Sequence, residues 1–191
     1  MLSQDAEDAV FEVNQTRAIV PKPPRLLGPW RRRSKARTRV VTELAVGRMV
    51  AAGDAYLLMR ATRKLKPELL DELPPPASDP VMDRLRNAAK DFGALTAVWR
   101  KDMGLDLDGV KPSFGAFSSL RQLRHVLVHR LGYWQPGLDD PAKKADIAAR
   151  VAALGVDPML YRGPVPLDDD EVSRSAGLVL ELVDAVDPLV P

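Results

Sequence analysis

Asp79-Pro80-Val81-Met82-Asp83-Arg84-Leu85-Arg86-Asn87-Ala88-Ala89-Lys90-Asp91-Phe92-Gly93-Ala94-Leu95-Thr96-Ala97-Val98-Trp99-Arg100-Lys101-Asp102-Met103-Gly104 is the segment from which the fold is most directly read. Asp79 suits a helix N-cap, and Pro80 suits the first helical position, where no N–H is required. Val81, Leu85, Ala88, Phe92, Leu95, Trp99 and Met103 then recur every three or four residues up to Gly104, a helix stop. The spacing predicts one amphipathic helix over 79–104. Its stripe, Phe92 and Trp99 included, is core packing rather than a ligand box.

Helical signals continue on both sides. Upstream, a long apolar helix is expected from about Arg37 to Lys66, with Val40, Val41, Leu44, Val46, Val50, Leu57 and Leu58, and it stops before Pro67. A helical turn over 68–73 and the breaker Pro74-Pro75-Pro76 follow. Downstream, Ser113 caps a helix that ends near Gly132, and Asp140-Pro141 opens another that ends at Gly155 with Ile147, Val151 and Leu154 inward. A last helix starts at Asp168, where Glu171 three residues on makes a capping-box pattern, and carries Val172, Ala176, Val179, Val183 and Val186. The acids Asp168, Asp169 and Asp170 are read as helix N-terminal charges rather than a metal site. No strand alternation competes, so the expectation is an all-α bundle of about five helices over residues 37–191.

Composition agrees. A chain of 191 residues, 46% of them apolar, can bury a real core as one domain, and with only 5% aromatics that core is Leu, Val and Ala, which favours helices. No cysteine is present, which excludes disulfides, thiolate metal sites and a cysteine nucleophile. Asp5, Glu7, Asp8 and Glu12 near the start are unlike a signal peptide, and no apolar run is long enough for a bilayer. A soluble, cytoplasmic protein is expected. Net charge is +2, but Arg17, Lys22, Arg25, Arg31, Arg32, Arg33, Lys35, Arg37 and Arg39 follow one another with no acid between them. With Pro21-Lys22-Pro23-Pro24 and a short amphipathic piece over 5–13, residues 1–36 read as a basic, proline-containing arm. Such an arm is either a solvated tail or a nucleic-acid or partner-binding segment.

Both histidines fall in Leu120-Arg121-Gln122-Leu123-Arg124-His125-Val126-Leu127-Val128-His129-Arg130. On a helix, Leu120, Leu123, Leu127 and Leu131 share the core sector, while Arg121, Arg124, His125 and His129 lie outside it, around Val128. This is either a solvated basic face or a partner-facing site that handles phosphate and protons.

Leu120-Arg121-x-Leu-Arg124-His125-x-x-Val128-His129-Arg130-x-Gly132 resembles the signature of HEPN domains, an arginine followed after four to six residues by a histidine, the first intervening residue being polar. The resemblance is sharp over 120–132 and architectural elsewhere. It implies a HEPN-like helical bundle and a metal-independent endoribonuclease, often a toxin or phage-defence effector. It also implies a homodimer in which the motif helices meet to form a composite site. Arg124 and His129 would be catalytic and His125 supporting, with Arg121, Arg130 and Tyr133 on RNA. A neutral His129 would take the 2′-hydroxyl proton, worth typically about 10²–10⁴-fold, while Arg124 grips the phosphate with its planar fork. Neither metal nor cofactor is needed. On one helix Arg124 and His129 lie about 140° apart, which a second copy would relieve. Some toxins of the family carry, two residues after the histidine, a tyrosine that an antitoxin adenylylates. Here that position is Leu131, so an antitoxin would act otherwise. Tyr133 and Trp134 would stack on a base or pack the helix end. A non-catalytic nucleic-acid- or protein-binding module and a structural adaptor are the competing readings.

Overall fold

The structure, a computed structural model, describes residues 2–19, 29–66, 79–110, 112–129 and 170–190, with isolated positions at 145, 149, 152, 154 and 167. Side chains at 29–38 and 129 fall outside that description. The described residues form an all-α bundle of six helices with no strand: α1 (Gln4–Ile19), α2 (Pro29–Leu65), α3 (Pro80–Ala88), α4 (Phe92–Lys101), α5 (Ser113–His129) and α6 (Glu171–Val186). The turn expected over 68–73 and the helix expected over 140–155 lie outside the described residues, isolated positions apart. No described helix is long and apolar enough to cross a membrane.

Residues 4–19 belong to the bundle rather than to an appended arm. Ala6, Ala9, Val13 and Thr16 recur at helical spacing and are buried against α2 and α6. Asp5 is buried with them because Arg63 of α2 meets its carboxylate with two hydrogen bonds, 2.9 and 2.8 Å long. A buried charge is tolerated when so paired. From Arg31 to Arg39 the basic run is likewise helical, since α2 begins at Pro29, eight residues before the expected Arg37. Proline at the first helical position explains the start.

The 79–104 segment is two helices, not one. Asp79 caps α3 as expected, accepting from Val81 N at 2.8 Å. The chain then turns at Ala89-Lys90, where Asn87 O accepts from both Lys90 N and Asp91 N at 3.0 Å. Asp91 takes an extended backbone and caps α4 by accepting from Ala94 N at 2.8 Å. Asn and Asp compete with helical hydrogen bonds in this way, and Gly93 further weakens a continuous helix. The stripe survives the break: Leu85, Ala88, Leu95, Val98 and Trp99 are buried, Trp99 fully, its Nε1 donating to Leu57 O at 3.2 Å. Gly104, at φ +70°, ends the segment, and Leu105 N turns back to donate to Trp99 O at 2.9 Å.

The core is the common interior of α2, α5 and α6, with Val46, Met49, Val50 and Leu57 facing Phe117, Leu120, Leu123, Leu182 and Val183. A buried polar clasp closes one end. Asp187 accepts from Ser3 N (2.8 Å), Ser3 Oγ and Tyr56 Oη (3.4 Å), and pairs with Arg60 Nε at 3.3 Å. Arg60 also donates to Asp187 O at 3.2 Å and to Val190 O. In α6, Glu171 is buried and its carboxylate accepts from Arg174 at 2.7 Å.

Candidate functional site: a groove with two arginines

A groove of about 400 Å³ opens where α2, the α3–α4 corner and α5 meet. Its apolar wall is Ala51, Ala55 and Leu58 of α2 with Ala88, Ala89 and Leu95 opposite. Its polar groups are Asp54, Lys90, Asp91, Arg121 and Arg124. That volume lies within the usual size of small-molecule sites.

The approach of α5 to α2 sets the site. Gly53 leaves room for the Phe117 ring, since a Cβ there would sit 2.6 Å from Phe117 Cζ. One residue on, Asp54 faces Arg121, whose Nε donates to Oδ1 at 2.7 Å. The Arg121 guanidinium carbon also lies 3.6 Å from the centroid of Phe92, a cation–π contact that ties α5 to the corner. Phe92 in turn stacks on Phe114 at 5.7 Å and meets the edge of Phe117 at 6.3 Å. Burial pushes the Asp54 carboxyl up, and the pull of Arg121 and Arg124 does not cancel it, so Asp54 holds its proton more tightly than an ordinary aspartate.

Arg124 is placed differently. It lines the same groove, one turn along from Arg121, but its Nε is buried with no hydrogen-bond acceptor. A guanidinium N–H withdrawn from water and left unpaired is costly.

Of the residues expected from sequence, Arg121 and Arg124 are brought together here. His125 is exposed and is not part of the groove lining. His129 is the last residue of α5, and its side chain, with Arg130 and Tyr133, lies outside the described residues. Val128 is 50% exposed, as its place on the polar face implied. Sequence reasoning missed Asp54, Lys90 and Asp91 and took Phe92 as core alone. The signal available for Asp54 was its isolation, since it is the sole acid between Glu43 and Glu68. Comparison with known protein families, with curated proteins and with solved structures finds no match for this chain.

Proposed function

We propose that this chain is a metal-independent endoribonuclease of HEPN type, a toxin or defence effector whose site is completed by a second copy along α5. The observation that carries the reading is the unpaired, buried Nε of Arg124 in a groove shared with Arg121, on the helix that ends at His129. Arg124 binds the scissile phosphate and stabilises the charge that builds on it during in-line attack. His129 takes the proton of the 2′-hydroxyl, which attacks phosphorus, and the 5′-oxygen leaves with a proton from a second acid. His125, exposed on the same helix, supports proton transfer. Arg121 acts indirectly, because its Nε is held by Asp54 and it steadies the groove rather than gripping phosphate. RNA cleavage in EDTA tests this reading. Cleavage lost in Arg124→Ala and in His129→Ala supports it. A chain that cuts no RNA, or both variants cutting normally, overturns it.

A further inference from the structure

Among the described residues, the outward face of α2 is apolar along a length that the other helices leave exposed or only half-buried. Val40 is 54% exposed and Leu44 65%. The row continues through Gly47, Ala51 and Ala55 to Leu58, of which Ala51 and Ala55 are exposed and the others half-buried. Steps of three and four residues put all six on one line about 27 Å long. The opposite face, with Thr42, Val46, Met49, Gly53, Tyr56 and Arg60, is the buried one. A single exposed leucine needs no explanation, but a continuous apolar row of this length does.

Two features of α2 identify what fits the row. Its middle is made of Gly47, Ala51 and Ala55, so another helix can approach closely there. Its first turns hold Arg31, Arg32, Arg33, Lys35, Arg37 and Arg39 with no acid before Glu43, which Arg39 already engages at 2.7 Å. A second copy laid on this row fits poorly. A parallel pair sets two basic starts side by side, and an antiparallel pair sets that start against residues 59–66, which hold no acid. A nucleic acid would satisfy the cations but lay phosphates along Val40 and Leu44. A helix with an apolar face and acidic flanks satisfies both features.

We propose that the outward face of α2, from Val40 to Leu58, docks an acidic amphipathic helix of a partner protein. Ala51, Ala55 and Leu58 belong both to this row and to the wall of the Arg121–Arg124 groove, so a docked helix that reaches Leu58 also narrows the groove. The regulatory part, inhibition of RNA cleavage, rests on the function proposed above. The docking itself does not.

The test uses the full chain and a labelled, designed helical peptide of about 20 residues with leucine and alanine on one face and glutamate elsewhere. Its lysine counterpart and a single-stranded oligouridine serve as the other probes. Binding is read by fluorescence anisotropy for the wild type and for Val40→Gln and Leu44→Gln, with circular dichroism verifying that the variants fold. The glutamate peptide is expected to bind in low salt, to weaken roughly tenfold in Leu44→Gln, and to compete weakly with oligouridine. The lysine peptide is expected not to bind. Equal affinity in both variants, equal binding of the lysine peptide, or a wild-type dimer that Leu44→Gln dissociates would overturn the proposal. So would oligouridine affinity that falls in Leu44→Gln as steeply as that of the peptide. Because docking is read without RNA cleavage, a chain that binds the peptide but cuts no RNA defeats only the ribonuclease reading. A chain that cuts RNA but ignores the peptide defeats only the docking.

Discussion

Arg121 and Asp54, 67 residues apart in sequence, are joined by a 2.7 Å hydrogen bond between the guanidinium Nε and the carboxylate. The same guanidinium covers Phe92, so one side chain joins α5, α2 and the α3–α4 corner. The two groove arginines therefore divide their work. Arg121→Ala is expected to lower stability by about 1–2 kcal/mol through the lost charge-assisted bond and ring contact. Arg124→Ala is expected to leave stability nearly unchanged while reducing RNA affinity. Urea unfolding and RNA titration of the two variants check this, and the reverse pattern would refute the division.

Asp54 gives the groove a pH response with a defined sign. Its folded pKa lies above 3.8 because burial outweighs the two arginines. The folded state therefore keeps a proton that the unfolded state has lost, and this group's contribution to stability falls as pH rises from 3.8 through the raised value. Over the same window the groove loses a positive charge, so anion affinity falls. Asp54→Asn is expected to bind oligouridine more tightly at neutral pH and to flatten the acidic side of the binding profile. Binding that is weaker in Asp54→Asn would show that the carboxylate serves the ligand.

Asp187 responds with the opposite sign. Burial alone would raise its carboxyl, but hydrogen bonds from the Ser3 side chain and backbone, with Arg60 and Tyr56, outweigh that and hold it below 3.8. Stability from this clasp is complete above 3.8 and is lost as pH falls through the lowered folded value. Asp187→Ala leaves Arg60 buried without its carboxylate and is expected to cost about 3–5 kcal/mol at neutral pH. Thermal melts of wild type and variant across acidic pH should converge as the clasp titrates.

Gly53→Ala measures how tightly α5 sits on α2. Alanine favours the helix by about 1 kcal/mol, yet its methyl meets the fully buried Phe117 ring, and overpacking of this kind costs about 1–3 kcal/mol. Net destabilisation is expected, together with weaker RNA binding because Asp54 and Arg121 are displaced. A melting temperature at or above that of the wild type would mean the ring yields freely.

The helical class was legible because apolar spacing is a local property, and the stripe from Val81 to Met103 is buried or half-buried along its length. Its division at Asp91 was not. The stripe keeps its phase across the turn, and a capping aspartate looks like any surface acid until its backbone is seen. The burial of α1 escaped for a different reason. Asp5 is inside only because Arg63 meets it, and no local pattern foretells a partner 58 residues away. The arginines of the groove could be found from one short motif. Asp54 could not, since its role depends on the close approach that Gly53 allows.

The α3–α4 corner gives the groove walls of unequal firmness. On the α2 and α5 side, the residues behind the wall are fully buried, Val50, Phe117 and Leu120 among them. On the other side stands α3, nine residues long, with Leu85 and Ala88 its only buried side chains. Segments with so little buried surface open by local unfolding well before the whole domain does. Amide hydrogens of α3 should therefore exchange ahead of those in α2 and α5. With one wall firm and the other formed by a short helix, the groove is expected to widen first at the corner.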